Sequence, residues 1–149
     1  YKTYIISNKE YNTKFKKYNM NQMKAILHNK VLYELKNKNY QYDYIVVDQF
    51  EPPKSYYNHI SDTNCKVTDI TFLTKAEDQC LSVACSSLIS RYIFLNEMNK
   101  LSKSVNTLLP KGANPKVDEV AKKIVETFGQ EKLNDIAKLN FKNTERIIN

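Results

Sequence analysis

With 149 residues, 42% of them hydrophobic and 26% charged, the sequence has the make-up of one folded domain and excludes a disordered or fibrous chain. No run approaches the ~18 apolar residues of a membrane span, and the start, YKTYIISNKE, carries no apolar signal region, so the expectation is a cytoplasmic protein without a membrane segment. A formal charge of +7 points to a polyanionic partner, and because all basic residues except Arg91 and Arg146 are lysines, backbone-phosphate contact is favoured over base reading.

In chain order, residues 4–7 read as a short strand. Met23, Leu27, Val31 and Leu35 recur every four residues and predict a helix over 21–37 with its apolar stripe turned to a core. The β-branched run 44–47 predicts a strand buried on both faces, and 66–73 a further strand. A long helix is predicted over 76–99, central and mostly buried, with Leu81, Ala84, Leu88, Tyr92 and Leu95 along one face. Ser82, Ser86 and Ser90, four apart, would let it approach a sheet or neighbouring backbone closely. After the break at Leu109-Pro110-Lys111-Gly112, residues 117–128 form an amphipathic helix stopped by Gly129, and Leu133, Ile136 and Ala137 suggest one more. The basic tail 141–149 is expected to be peripheral. No repeat, linker or internal domain boundary is visible.

Few residues carry chemistry on their own. Asp48 ends the 44–47 strand, where open α/β sheets place their ligands; it could hold a hard divalent cation or simply begin the turn before Pro52-Pro53. Glu77 stands in Thr74-Lys75-Ala76-Glu77, the Thr-x-x-Glu pattern of a capping box, with metal ligation as the alternative. Asn21, Lys24 and His28 share one polar helix stripe, ordinarily a solvated face. Pro110-Lys111-Gly112-Ala113 is a turn that either links two helices or lets backbone N–H groups and Lys111 meet a phosphate. The cysteines Cys65, Cys80 and Cys85 form no C-x-x-C pair, and His59 has no partner at zinc-ligand spacing, so neither a disulfide framework nor a zinc site is expected.

Read as an ordered set, several strings resemble the bacterial type III ribonuclease H family, ribonuclease HIII. They are Asn8-Lys9-Glu10-Tyr11-Asn12, Asn19-Met20-Asn21-Gln22-Met23-Lys24 running into Leu27-His28-Asn29, Val46-Val47-Asp48-Gln49-Phe50 with Pro52-Pro53, Thr74-Lys75-Ala76-Glu77, Leu81-Ser82-Val83-Ala84, Leu109-Pro110-Lys111-Gly112-Ala113, and Phe141-Lys142-Asn143-Thr144. The resemblance implies an RNase H-like α/β fold, a mixed sheet flanked by helices. It also implies cleavage of the RNA strand of RNA/DNA hybrids by four carboxylates and two divalent ions, Mg²⁺ or Mn²⁺. Asp48 matches the family's third carboxylate and Glu77 its fourth; Lys24, His28, Lys75 and Lys111 become candidate phosphate contacts.

The family's first-strand Asp-Glu pair occurs nowhere in the sequence, and Asn114 and Asn140 stand where Gly and His are common. Residues 1–149 therefore resemble the carboxyl-terminal part of the catalytic domain, with its first two strands and an upstream substrate-binding domain absent. The expected partners are an RNA/DNA hybrid and the missing amino-terminal part of the same protein, the complete enzyme being a monomer. A non-catalytic nucleic-acid-binding module with the same fold is the alternative.

Overall fold

The computed structural model describes residues 1–148 and divides the chain into two compact units, Tyr1–Ile5 with Tyr18–Arg91, and Ile6–Lys17 with the segment from Tyr92 onward.

In the first unit, helix α2 (Met20–Lys36; α1 belongs to the second unit) begins on a capping box: the Asn19 side chain accepts from Gln22 N–H while the Gln22 side chain accepts from Asn19 N–H, each at 2.9 Å. Strand β1 (Ile45–Asp48) pairs in parallel with β2 (Ile70–Leu73), Ile45 opposite Ile70 and Asp48 opposite Leu73. Helix α3 (Pro53–His59) lies between them in sequence, with Pro53 at a first-turn position that needs no N–H donor. Ala25, Tyr56 and Ile60 form the core, and Phe50, Tyr57, Ile70 and Phe72 pack against it. The Tyr56 and Phe72 rings meet edge-on at 5.0 Å. Asn29 is buried in α2; its amide donates to Cys65 O at 2.6 Å and accepts from Val67 N–H at 2.9 Å, tying the helix to the approach of β2.

Several expectations change here. Residues 4–7 form no strand: Tyr4 and Ile5 are exposed, and Ser7 instead caps α1 (Asn8–Phe15), its hydroxyl accepting from Glu10 N–H. Only Val47 of β1 is buried, because β1 has one neighbouring strand among the described residues rather than two. The strand expected over 66–73 is regular only from Ile70, since Asn29 binds the backbone of Val67. The long helix is broken at Cys80, whose extended backbone (φ −133°, ψ 111°) separates α4 (Ala76–Gln79) from α5 (Leu81–Ser104). The largest departure is burial: no residue of α5 is buried, with Leu81 81% and Leu88 72% exposed. Ser82, Ser86 and Ser90 are exposed as well, and Ser86 bonds back to the carbonyl of Ser82.

In the second unit, α6 (Pro115–Phe128) starts at Asn114, whose side chain accepts from Val117 N–H, and stops at Gly129, where φ is +82°. A 3₁₀ turn (Gln130–Lys132) leads into α7 (Leu133–Ile136). Ile124, Leu133 and Val105 are its most buried aliphatic side chains. The buried Asn12 of α1 donates to Ala137 O and the Asn134 side chain and accepts from Leu139 N–H. The tail is not peripheral: in α8 (Lys142–Ile148) Asn143 and Thr144 are buried and Asn143 hydrogen-bonds the Asp118 carboxylate. Asn149 lies outside the described residues.

Candidate metal centre

Two segments meet at one end of the sheet. β1 ends on the exposed Asp48, and the ladder runs one residue further through Gln49 N–H to Leu73 O at 2.9 Å. Past β2, Lys75 adopts a left-handed backbone (φ 52°, ψ 48°) and α4 begins at Ala76, which is fully buried. Ala76 N–H donates to Asp48 Oδ1 at 3.0 Å. Asp48 therefore satisfies the first donor of a helix that lies 28 residues further along the chain.

This removes the capping-box reading of Thr74 and Glu77. Lys75, not Thr74, occupies the cap position and makes no side-chain cap bond. Glu77 is exposed in the first turn of α4, and no hydrogen bond or ion pair holds its carboxylate among the described residues. Asp48 is thus one hydrogen bond from the residue preceding Glu77, and two oxygen-donor side chains stand at the same strand end. That donor set suits a hard cation such as Mg²⁺ or Mn²⁺. No three His, Cys, Asp or Glu side chains gather among the described residues, so the pair offers part of a coordination shell.

Phe50, two residues past Asp48, organises a second cluster. Lys24 Nζ lies 5.2 Å from its ring centroid, and the His28 ring meets it edge-on at 5.3 Å. Desolvation of the ring and then the charge of Lys24 push the His28 imidazole below the usual histidine range, although the residue keeps an exposed edge. Lys75 is exposed beside α4. Lys111 belongs to the other compact unit, exposed before Gly112, whose φ of +92° confirms the turn. One hydrogen bond thus joins Asp48 to the segment that carries Lys75 and Glu77, Lys24 and His28 meet at the Phe50 ring, and Lys111 belongs to the second unit.

Two features escaped sequence reasoning. His59 contacts a carboxylate: its Nε2 lies 3.2 Å from Oε2 of the buried Glu51, which holds the loop after Asp48 to the end of α3. No spacing rule signals a pair that closes across a proline turn. Cys80 precedes α5, and its thiol is held below the usual value by the Ser82 hydroxyl and then the Val83 N–H.

Residues 2–144 match the protein family described as Ribonuclease HII. The chain belongs to the ribonuclease HII family. Among curated members it is 42% identical over 133 residues to ribonuclease HIII of Lactococcus lactis, covering 88% of this chain and 46% of that protein. To ribonuclease HIII of Bacillus subtilis it is 39% identical over 149 residues, 98% of this chain and 48% of the relative. The crystal structure of Bst-RNase HIII in complex with Mn²⁺ superposes with a TM-score of 0.92 at 38% identity, over 97% of this chain and 48% of that one. A point mutant of the same nuclease gives 0.93. The family expectation and the RNase H-like α/β fold therefore hold, and the chain spans about half the length of the curated relatives it matches.

Proposed function

We propose that residues 1–149 are the carboxyl-terminal part of the catalytic domain of an endoribonuclease that cleaves the RNA strand of RNA/DNA hybrids with two divalent ions, Mg²⁺ or Mn²⁺. The observation that supports this reading is the Asp48 bond to Ala76 N–H, one residue before Glu77, in a ribonuclease HII family member. These two carboxylates are the metal ligands this chain contributes. When bound, divalent ions supply Lewis acidity for phosphodiester hydrolysis and offset the charge that develops there. Asp48 also keeps α4 in place through Oδ1, so its second oxygen is the one available to an ion.

Lys24, Lys75 and Lys111 act on the hybrid as point charges toward backbone phosphates. His28, beside Lys24 on the Phe50 ring, serves as a hydrogen-bond donor to the same backbone. The exposed apolar face of α5 supports a protein partner, the amino-terminal part of the same enzyme, which would also bring the remaining carboxylates. The complete enzyme would be monomeric and cytoplasmic.

The test uses the complete protein. Asp48→Asn and Glu77→Gln should each lower hybrid cleavage by on the order of 10³-fold while leaving hybrid binding nearly intact. Hybrid affinity should fall steeply with salt and depend little on base sequence. Residues 1–149 alone, contributing two carboxylates, should show no cleavage with Mg²⁺ or Mn²⁺ until the amino-terminal part is added in trans. The net charge of +7 favours a second reading, a non-catalytic nucleic-acid-binding module. That reading is selected if the complete protein binds hybrids without cutting them.

A further inference from the structure

We infer that Lys75 is a positioning residue whose left-handed backbone, locked by the Asp48 Oδ1 bond to Ala76 N–H, sets Glu77 beside Asp48 for ion binding. The inference rests on the metal-centre reading above and adds to it a backbone requirement at a residue otherwise considered only for its charge.

Three described non-glycine residues have positive φ: Asn39, Asn106 and Lys75. Asparagine tolerates this region because its short side chain can bond locally, whereas a long lysine side chain gains no such relief. A residue held in such a conformation persists where its surroundings over-determine it, and those surroundings are visible here. Two residues separate the end of β2 from the start of α4, so the turn at Lys75 sets the direction of the helix. Ala76 is fully buried and its N–H is held by Asp48, which fixes the residue after the turn. Asp78 N–H bonds Lys75 O at 3.1 Å and Cys80 N–H bonds Ala76 O at 2.8 Å, closing the single helical turn that carries Glu77. The Gln79 side chain donates to Thr74 O at 2.9 Å from the other side of the bend. A residue that disfavours positive φ would have to turn the chain elsewhere, and Glu77 would turn with it.

The experiment is a substitution series at one position in the complete protein: Lys75→Gly, Lys75→Asn, Lys75→Ala and Lys75→Val. Mn²⁺ alone is the probe, titrated calorimetrically, with a thermal melt for each variant. Gly and Asn accept positive φ and should keep Mn²⁺ affinity within about twofold. Ala should weaken it by roughly threefold and the β-branched Val by roughly tenfold or more. All four lack the lysine charge, so a role through charge alone predicts one common result, and equal Mn²⁺ affinity across the series overturns the inference. Loss in Gly as large as in Val overturns it as well. Should Val fail to melt cooperatively, the Ala-to-Gly difference decides. Asp48→Ala and Glu77→Ala, run in parallel, test the metal centre itself: wild-type Mn²⁺ affinity in both overturns both readings. Loss in those two with no spread across the Lys75 series overturns only the positioning role.

Discussion

Helices α2 and α5 carry comparable apolar periodicity and meet opposite fates. α2 buries Met23, Ala25 and Asn29 and half-buries Leu27, Val31 and Leu35 of its expected stripe, and its neighbours Tyr56 and Ile60 are among the least accessible residues described. α5 is longer, yet none of its residues is buried, and Leu81, Leu88 and Tyr92, on the face expected to be covered, are all exposed. Periodicity records which side of a helix favours cover. Whether cover is supplied depends on what packs there, and in α2 it comes from α3 and from Phe50, Ile70 and Phe72 around the Ala25 core, all in the same unit.

That contrast can be broken by substitution. Tyr56→Ala, at a fully buried ring in the α2 core, should cost about 3–5 kcal/mol in urea denaturation. Asn29→Ala leaves Cys65 O and Val67 N–H without their partner and should cost about 2–4 kcal/mol, read from the same midpoint shift. Leu88→Gln should change the stability of residues 1–149 by no more than about 0.5 kcal/mol, because the side chain is already in water. In the complete protein the same substitution should cost about 1.5–3 kcal/mol if the face is covered there. Equal, small effects in both forms would mean that α5 is a solvent-facing helix despite its sequence. Smallest of all should be Tyr56→Phe. The Tyr56 hydroxyl is buried without a hydrogen-bond partner among the described residues, so its removal should be neutral or stabilising, within about 0.5 kcal/mol.

The sequence located what local rules govern. α2 was expected over 21–37 and runs from Met20 to Lys36, and the stop of α6 at Gly129 follows from a residue that accepts positive φ. Ser7-x-x-Glu10 and Asn19-x-x-Gln22 both mark helix starts, and the first conflicts with a strand over 4–7. The break at Cys80 had no such marker, since neither Gly nor Pro occurs there. In the candidate centre, Asp48 and Glu77 could be named from motif order, but not the bond joining their segments. That bond links a strand end to a helix start across 28 residues and depends on Lys75 adopting a conformation its residue type disfavours. The Glu51–His59 pair and the Asn29 amide were illegible for a related reason. Their partners are fixed by three-dimensional proximity, which hydrophobic spacing does not encode.

Asn12 also bears on when the protein can fold. Its side chain bonds Asn134, Ala137 and Leu139, separated from it by 122 to 127 residues. During synthesis at roughly 5–20 residues per second, Asn12 is made about 6–24 s before its first partner. Through that interval α1 has no native docking site for this buried amide, while Tyr18–Arg91, contiguous in sequence, can already assemble around Tyr56. The second unit is therefore the late-folding one, and its α1 segment is the part most exposed to proteases and chaperones on the nascent chain.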